Sequence, residues 1–184
     1  YRDGYELDTI QFPHDKKAYY IHLIDEKVVA EASQVIKDSA PDMSWVYLEY
    51  TDDMGHRYGK SPELDTAISM LDKQIQKLMA AINYREKSFN EEWLVIITTD
   101  HGRDAQTGKN HGGQSDAERN TWLVMNHRPN HHAFENRTAV VDIFPTIATF
   151  LNIKLSKTRD PATCGIWETA FGKEFGVLLR VTTK

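Results

Sequence analysis

Apolar residues recur at three- and four-residue steps between about Lys16 and Ser39: Tyr20, Leu23, Ile24, Val28, Ala32, Val35 and Ile36. That period predicts an amphipathic helix, and Pro41 punctuates it. The run MSWVYLEY, Met43 to Tyr50, is short, aromatic and β-branched, which predicts a strand. The polar stretch TDDMGHRYGKSP after it reads as a loop. Ser61 then stands as an N-cap with Pro62 at the first helical position. Leu64, Ala67, Ile68, Leu71, Ile75, Leu78, Met79 and Ile82 trace a helix to about Arg85, and EKSFNEE reads as a connector.

The continuous apolar run WLVIITT is the pattern of a strand covered on both faces. TWLVMN, Thr121 to Asn126, predicts a third strand. AVVDIFPTIATFLNI begins extended and becomes a helix, with Pro145 tolerated near its first turn. Residues 1–15 read as an irregular lead-in, residues 16–153 as one domain, and 154–184 as a tail with a short helix and a last strand at GVLLRV. Strands alternating with amphipathic helices predict an α/β fold, layered helix-sheet-helix around a mostly parallel sheet.

Composition narrows the functional classes. The 184 residues are 40% hydrophobic with a formal charge of −5, so no basic face for a nucleic-acid duplex is expected. Cys164 is the single cysteine, which excludes a disulfide framework and a thiolate zinc cluster. No apolar run approaches the ~20 residues of a membrane span. Of the eight histidines, His14, His22, His127, His131 and His132 sit among charges or turn residues and read as surface or packing groups.

The remaining histidines fall in two loops, each following a strand, where α/β sheets bind ligands. One carries Asp52, Asp53 and His56; the other carries Asp100, His101 and, ten positions later, His111. An aspartate or histidine alone in such a loop is usually a turn or cap residue, and Asp53 keeps that reading, as a turn residue or an outer partner. Jointly, nitrogen and carboxylate donors without sulfur point to a divalent metal: Zn²⁺ in a catalytic setting, or Mn²⁺ or Fe.

These motifs resemble the alkaline phosphatase superfamily. DDMGHRYG is similar to its Asp…Gly-His pattern, TTDHG to its strand-Asp-His-Gly element, NHGG to its last ligand histidine, and VVDIFPTIATFLNI to the Asp-x-x-Pro-Thr element near the end of the core. The nearest branch is the type I phosphodiesterase/nucleotide pyrophosphatase type, and the likeness runs from about Val28 to Ile153. The resemblance implies an alkaline phosphatase-like fold and two divalent metals, zinc first. Asp52, His56 and His111 would hold one and Asp100 and His101 the other, with Asp53, Thr99 and Asn110 as outer-shell groups. It also implies in-line attack of a Thr or Ser on a phosphodiester or pyrophosphate bond of a small-molecule substrate, through a covalent phospho-enzyme.

In the family a further Asp and the nucleophile come from the amino-terminal half. No strand ending in Asp precedes Met43, since Asp25 in YYIHLIDEK lies on a helical pattern. Thr98, Thr99 and Ser115 match no nucleophile position. The chain is therefore expected to be the carboxy-terminal part of a catalytic domain, incomplete at its amino-terminal side. Its nucleophile would lie outside the chain, the isolated fragment would be inactive, and exposed sheet surface would favour self-association.

A phosphomutase, whose gap between the DHG and HGG motifs is similarly short, and a sulfatase stand as alternatives, as does a non-catalytic metal-binding fragment. Arg57 and Lys109 are candidates to meet an anionic substrate or are simply solvated. A periplasmic or extracellular setting follows from the resemblance alone. Asn136-Arg137-Thr138 matches a glycosylation triplet.

Overall fold

The computed structural model describes residues 2–128, 139–153 and 176–182. In chain order the elements are α1 (Arg2–Leu7), α2 (Tyr19–Ser39), β1 (Ser44–Tyr47), α3 (Tyr50–Tyr58), α4 (Pro62–Phe89), β2 (Glu92–Thr98), α5 (Asp116–Arg119), β3 (Leu123–Met125), a 3₁₀ turn at Val140–Asp142, α6 (Ile143–Phe150) and β4 (Gly176–Thr182).

Local signals account for much of this. The Ser61 hydroxyl accepts from Leu64 N at 3.3 Å and Pro62 follows it, so α4 starts where the sequence places it. It runs past Arg85 into the expected connector, to Phe89, where Arg85 fixes the last turn. Its guanidinium binds the Glu91 carboxylate, donates to the Lys37 carbonyl at 2.9 Å and lies 3.8 Å over the Phe89 ring. Asn90, at φ 54°, then ends the helix. The lead-in also departs from expectation: α1 is helical, with Tyr5 against the buried Phe12 ring at 5.7 Å and its hydroxyl on Glu31.

The stretch expected as a loop after the first strand is mostly helix α3, and Tyr50, expected in the strand, begins it. No local side chain caps its start. Instead the buried carboxylate of Asp25, on α2, accepts from Glu49 N at 3.1 and 3.2 Å and from Tyr50 N at 3.0 Å. A carboxylate there satisfies N–H groups that a helix start leaves unpaired and favours the positive end of its dipole. Tyr50 and Met54 then bury against Ile21 and Ala67. Gly59, at φ 64°, closes the helix with its N–H on the Gly55 carbonyl at 2.8 Å.

The sheet order is β1-β4-β2-β3, and every described ladder is antiparallel. This corrects the expectation of a mostly parallel sheet. β1 and β2 do point the same way, as strands joined by helices do. β4 lies between them and runs against both, so the two are not hydrogen-bonded neighbours.

The layering is as expected. Alternate residues of β2 serve the two faces: Trp93 and Val95 pack with Val29, Ile36, Leu78 and Ile82 of α2 and α4, while Leu94 and Ile96 pack with Ile147 of α6. The expected third strand shortens to Leu123–Met125, after which the Asn126 side chain continues the ladder, accepting from Val95 N at 2.8 Å and donating to Trp93 O at 2.7 Å. Of the tail, β4 matches the expected last strand, and the expected short helix lies outside the described residues. Among the described residues no helix is long and apolar enough to cross a membrane.

Asp25→Ala is expected to lower stability by about 1–3 kcal/mol, the cost of leaving buried donors unpaired. Urea unfolding measures it, and an unchanged midpoint would show that α3 does not need this anchor.

Candidate metal centre

Helical geometry joins the first pair of candidates. Asp52 and His56 stand one turn apart on the same face of α3, with His56 Nε2 3.3 Å from Asp52 Oδ2. The other carboxylate oxygen, Oδ1, faces the second loop: His101 Nε2 lies at 3.8 Å and His111 Nε2 at 3.9 Å. Asp100 Oδ1 lies 3.6 Å from His101 Nε2. The rings of His101 and His111 stack at 3.7 Å, and the Nε2 atoms of His56 and His111 are 2.9 Å apart. Five residues read from two loops thus meet in one cluster, with Asp52 at its centre. Donor atoms of Asp52, His101 and His111 all lie within 4.8 Å of one another.

The chemistry of this set fits a cation. Asp100 Oδ1 and His101 Nε2 are buried with no hydrogen-bond partner, and orphaned buried polar atoms are costly unless something completes them. Burial pushes the Asp100 carboxyl up, helped by the Asp52 charge and opposed by His101. Burial, then the neighbouring His101, pushes the His111 imidazole down, which keeps it in the neutral form a metal needs. His101 is oriented through its other nitrogen: Nδ1 is 2.8 Å from the Gly102 carbonyl, as the second ring nitrogen of a ligand histidine usually is.

With this geometry in place, comparison with known proteins decides the family. The sequence profile described as type I phosphodiesterase / nucleotide pyrophosphatase matches residues 3–153. The chain belongs to this family. Its relatives include GPI ethanolamine phosphate transferase 2 of Schizosaccharomyces pombe, 31% identical over 129 residues, 58% of this chain and 16% of that protein. GPI ethanolamine phosphate transferase 3 of the same yeast is 28% identical over 138 residues, 71% of this chain and 14% of that protein. The chain thus spans about a sixth or less of the length of these relatives. No solved structure matches.

The outer-shell candidates divide. The Thr99 hydroxyl donates to the His101 backbone carbonyl at 2.8 Å. Asn110 is held by its own backbone N–H, which donates to Asp104 at 2.9 Å. Asp53, the next residue round the helix from Asp52, has its carboxyl pushed up by burial, against the pull of Arg57. Arg57 itself donates to the Lys16 carbonyl.

The hydroxyls weighed in the sequence are already committed: Thr98 to the Trp122 carbonyl at 2.8 Å, Thr99 as above, and Ser115 to the Glu118 carboxylate. Thr51, on the same helix as Asp52, is 5% exposed and closed to a substrate. Among the packing histidines, His14 stacks on Tyr20 at 4.2 Å, His22 is buried beside Gln74, and His127 Nε2 lies 3.1 Å from the Trp93 carbonyl. His131, His132 and the Asn136 triplet lie outside the described residues.

Two groups escaped the sequence reading. Arg103 lies on the Asp52 carboxylate. Asp104 builds the return of the second loop: its carboxylate accepts from the backbone N–H groups of Gln106, Thr107 and Asn110 and from the Thr107 hydroxyl. Those bonds, Thr107 first, hold the Asp104 carboxyl well below the usual carboxylate range. The signal for Asp104 was available, since aspartate before a turn commonly accepts from backbone N–H groups just beyond it.

A folded-state pKa below the unfolded one adds stability that is full above roughly pH 4 and drains as the pH falls towards the folded value. Asp104→Asn is therefore expected to flatten the loss of stability below about pH 4. Acid unfolding curves of the two proteins that superimpose would refute the role.

Proposed function

We infer that this chain supplies the metal-binding face of a phosphoester-cleaving site, acting on phosphodiester or pyrophosphate bonds of a small-molecule substrate. The convergence of Asp52, His56, Asp100, His101 and His111 around two orphaned buried atoms supports this reading. Two divalent ions, zinc first and Mn²⁺ or Fe by the same donors, would be held by Asp52, His56 and His111 on one side and by Asp100 and His101 on the other. Bound there, they supply positive charge that polarises the phosphoryl group and eases deprotonation of the attacking hydroxyl.

What the chain's own groups do follows from their placement. Asp52 presents Oδ2 to His56 on its own helix and Oδ1 to His101 and His111 of the second loop. Gly102 holds the His101 ring through its Nδ1, and Thr99 holds the His101 backbone carbonyl. The attacking Thr or Ser is proposed to come from outside these residues, since the Thr98, Thr99 and Ser115 hydroxyls are engaged elsewhere. Attack by the deprotonated hydroxyl forms an O–P bond and breaks the bond to the leaving oxygen, which departs taking up a proton; water then cleaves the phospho-enzyme, releasing the phosphate and restoring the hydroxyl. With the nucleophile outside it, the isolated chain does not turn over. A second reading keeps the site and changes the acceptor: both yeast relatives are named as ethanolamine phosphate transferases, which favours delivery of a phosphate-ester group to an acceptor other than water.

The test is metal content and turnover of the intact protein. Wild type is expected to bind zinc or manganese and to release nitrophenol from bis-p-nitrophenyl phosphate. Asp52→Asn and His111→Ala should lose metal and fall about a hundredfold or more in rate, as the loss of several kcal/mol of charge stabilisation implies. Phosphorus NMR of the products with an added alcohol separates hydrolysis from transfer. A metal-free, inactive wild type would sink the reading.

A further inference from the structure

Arg103 stands inside the cluster without being one of the groups that would ligate a metal. Its Nη2 donates to Asp52 Oδ1 and, at 2.9 Å, to the Asp52 carbonyl oxygen. Its Nη1 reaches the carbonyls of Gly108 at 3.5 Å and Lys109 at 3.4 Å. A guanidinium has five N–H donors. With both terminal nitrogens engaged by protein acceptors, no free fork remains for bidentate grip on a phosphate. That donor count argues against a substrate clamp and for an internal brace.

The helix leaves room for it. A Cβ on Gly55 would collide with Cζ, Nε and Nη2 of Arg103, so the guanidinium lies directly against the α3 backbone. Gly55 is the glycine of the Asp…Gly-His motif, and here its missing side chain leaves room for the arginine beside Asp52. One side chain therefore ties three parts together: the Asp52 carboxylate, the backbone of α3, and the segment just before His111.

We propose that Arg103 is a positioning residue for metal binding. It fixes the rotation of the Asp52 carboxylate and locks the second loop to α3, so that His111 returns beside His56. Oδ2 of Asp52 remains turned to His56. Hydrogen bonding of a ligand carboxylate by such an outer partner is worth about tenfold to hundredfold in metal affinity. The proposal rests on the metal reading above.

The sign of the effect separates positioning from charge. Deleting a cation beside the cluster would, by charge alone, tighten binding of a divalent ion; loss of positioning weakens it. The experiment is calorimetric titration of Zn²⁺ into the metal-free intact protein, with thermal unfolding confirming that each variant is folded. Arg103→Leu and Arg103→Lys are both expected to bind about tenfold to hundredfold more weakly. Lysine fails because a point charge cannot span these acceptors.

Gly55→Ala keeps the charge and favours the helix by about 1 kcal/mol, yet displaces the guanidinium, so it too should weaken binding. It decides the matter if Arg103→Leu does not fold. Variants that bind zinc as tightly as wild type, or more tightly, overturn the positioning role. A wild type that binds no metal overturns the functional reading beneath it.

Discussion

A carboxylate on one helix holds the start of another, and the metal cluster depends on that hold. Asp25 in α2 accepts the N–H groups of Glu49 and Tyr50, where β1 hands over to α3. Nine residues rich in polar groups and interrupted by Gly55 would not stay helical alone, because helix nucleation is costly and short helices are marginal. Anchored at one end by Asp25 and closed at the other by Gly59, the segment keeps Asp52 and His56 on one face. Without the helix, the two side chains would have no fixed relation to each other or to the second loop.

The cluster that results is electrostatically unfinished. Asp100 is pushed towards its neutral form and His111 towards its own, while buried donor and acceptor atoms lack partners. Arg103 offsets part of the negative charge of Asp52 but leaves Asp100 Oδ1 and His101 Nε2 without hydrogen-bond partners. Such an arrangement costs folding energy, and a bound cation would return some of it. The same tension that marks the site chemically is a reason for ligand binding and stability to be coupled.

How much was legible in the sequence depended on how local the cause was. The start of α4 was readable because Ser61 and Pro62 carry the instruction themselves. β2 was readable because a buried strand needs an unbroken apolar run. The same strand ends led to Asp52, Asp100 and the three histidines. Helix α3 was not readable, because its anchor is Asp25, far back on α2. Arg103 was missed for a similar reason: it matters only once the second loop lies against α3. The sheet's direction was misjudged because alternation of helix and strand constrains β1 and β2, which do run together, and says nothing about a later strand entering between them.

That later strand has a consequence for how the molecule is made. The distance from β1 to β2, and hence from Asp52 to Asp100, is set by β4, which pairs with both. Its residues, Gly176–Thr182, come long after both site loops in the chain. Pairings of such wide sequence separation must offset a large loop-closure entropy and tend to form slowly. During synthesis the two halves of the cluster emerge first and wait, and their final spacing is fixed by a strand that emerges well after them.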